Sequence, residues 1–181
     1  LFGFADVAAA ISTKLETRHP HIFGEASSDE AQTERWETIK AAERTATGAT
    51  SAVDGVALAL PALMRAEKLQ KRAARVGFNW PDTAGPRAKV LEELEELEAA
   101  ETDTDRAEEA GDLLFAAVNV LRAYGIAPED ALRVANAKFE RRFRAMEVQA
   151  KAEGNDFATL ALDEQEQYWQ FVKASERRET P

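Results

Sequence analysis

Apolar residues recur at spacings of three and four along almost the whole chain. Leu132, Ala135, Phe139, Phe143 and Met146 form one such series, and Val90, Leu94 and Leu97 form another. An α-helix brings such positions onto one face, and no segment sustains the alternation of a half-buried strand. The fold class is therefore all-α. Helices are expected at about 5–18, 29–46, 61–76, 86–101, 104–124, 128–152 and 163–178. Gly125 can close one helix, Pro128 pre-sets the first turn of the next, and Asp163 with Glu166 forms a capping-box-like start before Tyr168 and Trp169.

Residues 47–60 are small, flexible and poorly periodic, and read as a linker dividing 1–46 from 61–181. A weak internal repeat supports that division. At an offset of 124 residues, Asp6, Lys14, Glu16 and Arg18 fall on Asp130, Lys138, Glu140 and Arg142, with Leu15 on Phe139; Trp36 and Lys40 share the spacing of Trp169 and Lys173. The first copy has nothing to match the acidic helices of the second, so the chain reads as part of a longer two-domain protein.

With no cysteine, disulfides, thiolate zinc sites and cysteine nucleophiles are excluded. The two histidines, His19 and His21, are too few and too remote for a His-based metal site, so any metal must take oxygen ligands. No apolar run approaches the length of a membrane span and no basic-then-apolar leader opens the chain, so a soluble cytoplasmic protein with no membrane partner is expected. A net charge of −10 argues against nucleic acid as partner. The charge is local: 11 of the 33 acids and one of the 23 bases lie between Val90 and Asp112, which leaves 22 of each elsewhere.

On a helical wheel Val90, Leu94 and Leu97 form one stripe, flanked by Glu93 and Glu96, while Glu92 and Glu95 point away. In the next helix the run from Asp112 to Leu121 is apolar on nearly every face, which predicts burial on most sides. Its exceptions, Asp105, Glu108, Glu109, Asp112 and Asn119, share one stripe with Ala116 between them. A carboxylate facing a core is costly unless it is paired or binds a metal, and Arg106 is the one local base. Glu93 and Glu96 on one helix with Glu109 and Asp112 on an antiparallel neighbour would surround one point with oxygen donors, a set suited to Mg²⁺ or Mn²⁺. The remaining acids of the run read as a solvated face.

Lys138 and Arg142 lie one turn apart at the edge of the stripe running from Leu132 to Met146, with Arg141 and Arg144 further round toward solvent. Facing an acidic metal cluster, the pair would suit a polyphosphate; alternatively it makes structural salt bridges to Glu93 or Glu96. Trp169 and Lys173 repeat the four-residue spacing on the last helix, where the ring could stack on a base or pack in the core.

Taken together, the stretch Glu67–Trp80 (EKLQKRAARVGFNW), the acidic motif at 92–96, EEAGD at 108–112 and NAKFERRF at 136–143 resemble the MazG nucleoside triphosphate pyrophosphohydrolases. They look most like the C-terminal domain of the two-domain bacterial form, and HPHIFG at 19–24 with Trp36 looks like the tail of its first domain. The resemblance implies a tightly dimerising helical bundle of the all-α NTP pyrophosphohydrolase type. It also implies Mg²⁺-dependent cleavage of NTPs or dNTPs to the monophosphate and pyrophosphate. By resemblance the metal ligands are Glu93, Glu96, Glu109 and Asp112, and the substrate-binding residues are Lys138, Arg142, Trp169 and Lys173. Glu108 or Glu109 would orient the attacking water. Residues 1–46 would be a remnant of the first domain and 61–181 the catalytic domain. Asp105 stands where some members carry a lysine.

Two alternatives accompany this expectation. One is a related all-α pyrophosphohydrolase of narrower substrate, such as dUTP or a phosphoribosyl nucleotide. The other is a non-catalytic helical interaction module. A di-iron carboxylate bundle is excluded, because it needs Glu and His three apart on a helix.

Overall fold

A computed structural model describes residues 3–18 and 50–179. The helix expected at 29–46 lies outside the described residues, as do His19, His21, Trp36 and Lys40. Among the described residues there are six α-helices and no strand: α1 (Phe4–Arg18), α2 (Ala62–Arg75), α3 (Ala84–Ala99), α4 (Asp103–Ala123), α5 (Pro128–Ala152) and α6 (Leu162–Glu179), with a 3₁₀ turn at Phe157–Thr159. The other six expected helices are present, each within a few residues of its expected bounds. No single helix is long and apolar enough to cross a membrane among the described residues.

The chain divides into two compact units, Leu1–Ala57 with Arg72–Gly77, and Leu58–Lys71 with Phe78–Pro181. In the first, the turn after Thr50 is closed by Asp54, whose carboxylate accepts from the Ser51 and Thr50 backbone N–H groups at 2.8 and 2.9 Å. Those donors hold the Asp54 carboxyl below the usual carboxylate range. The guanidinium of Arg72 donates to the Asp54 carbonyl.

The second unit is built from two helical hairpins, α3 on α4 and α5 on α6. Local chemistry sets the corners. Thr102 caps α4 by accepting from the Asp105 N–H at 3.1 Å. At the other end of α4, Gly125 adopts φ 71° and lets the Ile126 N–H reach the Leu121 carbonyl at 2.9 Å. Pro128 then opens α5, which leaves α4 at 103°. The start of α6 differs from the expected Asp163–Glu166 box. The helix begins one residue earlier, and Glu164 reaches back to the Ala161 N–H at 2.9 Å, because that carboxylate sits three residues after the capping position.

Among the described residues most burial lies on the two hairpins, with Val56 and the α2 residue Gln70 buried outside them. Ala116, Val118, Met146, Ala150 and Val172 are buried. Two expected core stripes are corrected. Leu132, Phe139 and Phe143 stay 50%, 55% and 36% exposed, because α5 diverges from α4 and meets α6 along its second half. On α4, Leu114 and Phe115 remain 60% and 42% exposed, although the run was expected to be enclosed.

Candidate metal and nucleotide site

The seam of the α3–α4 hairpin carries the acidic group. Toward α4, helix α3 turns Pro86, Val90, Glu93 and Leu97, a stripe at spacings of four, three and four. Glu93 is 4% exposed while Leu94 is 41% exposed, so a carboxylate occupies a more sheltered place than the neighbouring leucine. On α4, Glu109 and Asp112 lie one turn apart. Glu93, Glu109 and Asp112 each offer a carboxylate oxygen, and these atoms lie within 4.8 Å of one another. Glu96 is outside this set and exposed, one turn along α3. Asp112, expected to face inward, is exposed at the rim, because that edge of α4 is uncovered among the described residues.

Burial first, and then the charges of Glu96, Glu93, Asp112 and Glu108, push the Glu109 carboxyl above its ordinary value. Among the described residues Lys89 answers this concentration of charge, ion-pairing with Glu93 at 2.7 Å and Glu92 at 2.8 Å. Hydrogen bonds to Glu92 and Glu93 hold its ammonium charged well above the usual lysine range. Lys89 escaped the sequence reading, although its place four residues before Glu93 is a helical pairing distance. Carboxylates this close to one another match the hard oxygen donors of a magnesium or manganese site. Glu108 is exposed beside them.

The basic residues lie on the other hairpin. Arg142 donates to Glu176 Oε2 at 2.7 Å, and Arg141 to Oε1 of the same carboxylate at 3.0 Å. The alternative of a structural bridge from Arg142 to Glu93 or Glu96 gives way to this pairing with α6, which periodicity alone could not reveal. The Arg142 guanidinium also covers the Trp169 ring, 5.4 Å from its centroid, and Phe139 packs on that ring at 5.8 Å. Lys138 is exposed and Lys173 half-buried. Arg141 and Arg144, at 62% and 70% side-chain exposure, face solvent as expected. Asp112 and Lys138 each lie about 15 Å along their own helices from the corner at Gly125, and those helices part at 103°. No ion pair or hydrogen bond joins the acidic and basic groups among the described residues.

Known proteins resemble this chain in sequence. A family model described as phosphoribosyl-ATP pyrophosphohydrolase matches residues 61–139. The chain is 48% identical over 183 residues to the nucleoside triphosphate pyrophosphohydrolase of Escherichia coli K12, covering 97% of this chain and 69% of that protein. It is 37% identical over 175 residues to the nucleoside triphosphate pyrophosphohydrolase/pyrophosphatase MazG of Thermotoga maritima, covering 97% and 68%. An uncharacterized Bacillus subtilis protein, YabN, is 43% identical over 183 residues, 98% of this chain and 37% of its own. Carboxylates gathered on one helical hairpin and near-complete alignment with these enzymes lead to one assignment: the chain belongs to the MazG family of nucleoside triphosphate pyrophosphohydrolases.

Proposed function

We propose that the protein hydrolyses nucleoside or deoxynucleoside triphosphates to the monophosphate and pyrophosphate, with Mg²⁺, or Mn²⁺ in its place, held by Glu93, Glu96, Glu109 and Asp112. The observation that carries this reading is the convergence of Glu93, Glu109 and Asp112 within 4.8 Å. When bound, the cation supplies positive charge to the phosphate oxygens and fixes their orientation. The chain's residues do the rest. Glu109, whose carboxyl already favours a proton more than an ordinary glutamate, or Glu108 beside it, accepts a proton from the attacking water. Lys138, Arg142 and Lys173 neutralise the phosphates, and Trp169 holds the Arg142 guanidinium against its ring.

The same reading makes the enzyme a homodimer, with no nucleic-acid or membrane partner, working in the cytoplasm. Its support is the apolar surface left on α4 and α5, together with a groove of about 350 Å³ between α2 and α4 lined by Leu63, Leu69, Leu114 and Phe115. A second copy would cover this surface. It would also bring its own Lys138 and Arg142 to an acidic group that the basic residues of the same chain stand apart from. Residues 61–181 form the catalytic domain in this reading, joined through 47–60 to residues 1–46, which belong to a first, similar domain.

The family model's own description favours a second substrate class, phosphoribosyl nucleotides. A panel of NTPs, dUTP and a phosphoribosyl nucleotide ranked by kcat/KM separates the two. Asp112→Ala tests the centre itself. Mg²⁺-dependent pyrophosphate release should vanish while helicity is kept, and full activity in that variant would remove the metal assignment.

A further inference from the structure

The motif ending at Trp80 has no part in the chemistry above, yet the structure builds it with care. Trp80 lies flat on the start of α3. A Cβ at Gly85 would stand 1.9 Å from its ring atom Cδ1 and 2.4 Å from Nε1, so only glycine lets the indole rest there. The ring stays 38% exposed. The loop around it is tied down on both sides. Asp82 accepts from the Ala84 N–H at 2.8 Å, and Arg122 donates to Asn79 Oδ1 at 2.5 Å and to Asn119 Oδ1 at 2.6 Å. Because the Asn79 oxygen is held by Arg122, its amide NH₂ points elsewhere and has no partner among the described residues. Trp169 contrasts with this, since Arg142 and Phe139 already lie on its ring.

Position supplies the rest. Gly85 precedes Glu93 by eight residues on α3, and Asn119 follows Asp112 by seven on α4. Along both helices the Trp80 loop therefore lies on the order of 10 Å from the acidic group, about the reach of a nucleotide from its phosphates to its base.

We propose that Trp80 and Asn79 form the nucleobase subsite: the indole is the stacking platform, and the Asn79 amide donates to a carbonyl on the base edge. This rests on the reading that the triphosphate is held at the acidic group. Stacking on an aromatic ring is tolerant of base identity, and the single outward donor favours a base with a carbonyl over one with an amino group at that edge.

The test compares wild type with Trp80→Ala, Trp80→Phe and Asn79→Asp, each checked for native helicity. Two constants are read: KM for UTP, and the inhibition constant of inorganic triphosphate, which lacks a base. Trp80→Ala should raise KM roughly tenfold or more, leave inhibition by inorganic triphosphate unchanged, and be largely rescued by Trp80→Phe. An unchanged KM overturns the proposal, and so does a parallel rise in both constants, because that marks a structural role. Asn79→Asp keeps an oxygen for Arg122 but presents an acceptor outward. It should move the UTP-to-CTP ratio of kcat/KM toward CTP by about tenfold, and an unmoved ratio refutes Asn79's part. If Trp80→Ala does not fold, indole fluorescence decides. Quenching by an α,β-methylene nucleoside triphosphate should persist in Trp169→Phe and disappear in Trp80→Phe, and the reverse pattern overturns the proposal. Loss of all nucleotide binding and turnover in wild type would instead defeat the acidic-site reading beneath it.

Discussion

Replacing Glu93 by Gln separates a carboxylate kept for structure from one kept for a ligand. The side chain is 4% exposed, pairs with Lys89 at 2.7 Å, and has oxygens of Glu109 and Asp112 within 4.8 Å. Were Glu93 half of a structural buried ion pair, breaking it would cost about 3–5 kcal/mol. For a chain of this length that lowers Tm by roughly 10 °C. The Lys89 side chain, however, is 37% exposed, so the pair is screened and worth little. Gln also removes repulsion from the two carboxylates opposite while keeping the volume. The metal-free variant should therefore unfold within about 3 °C of wild type, a difference of under about 1 kcal/mol. Binding at a hundredfold excess over Kd stabilises by about 2.7 kcal/mol, so Mg²⁺ should raise the wild-type Tm by about 5–10 °C. In Glu93→Gln that rise should be largely absent. Scanning calorimetry in chelator and in Mg²⁺ measures both quantities. A variant that loses about 10 °C in chelator yet keeps its Mg²⁺-dependent rise would refute the reasoning.

Three further outcomes follow from the same geometry. Met146, 4% exposed on α5, should cost about 2–5 kcal/mol when cut to Ala, read as a fall in the denaturant midpoint at unchanged slope. Glu176 is held below the ordinary glutamate value of 4.5 chiefly by its hydrogen bond from Arg142. Its contribution is thus present above pH 4.5 and lost as pH falls through the lowered value. Glu176→Gln should accordingly lower Tm at pH 7, with the two curves converging in acid; a gap that persists at pH 2 argues against the linkage. Finally, equal mixing and reannealing of Asp112→Ala with a Lys138→Ala/Arg142→Ala double variant, each inactive alone, should restore about a quarter of wild-type pyrophosphate release if the groups meet across a two-fold dimer. No recovery would place both groups in one chain.

Sequence alone determined the helical class, the positions of the described helices and which carboxylates share a helix face, because each depends on spacings within one helix. Periodicity of three and four fixes which residues share a face, and Gly125 and Pro128 mark ends through local backbone chemistry. What those faces meet was left to the tertiary structure. Leu94 and Glu93 sit side by side on the wheel, yet the seam with α4 shelters the carboxylate and exposes the leucine. Arg142 could have answered any acid, and the packing of α5 on α6 gave it Glu176. Trp80, in the loop before α3, and Trp169, within α6, are the same residue type. A glycine five residues away leaves one indole open, and an arginine from a neighbouring helix covers the other. A sequence fixes which side chains travel together on an element, while the angle between elements decides which of them are enclosed, paired or left facing a partner.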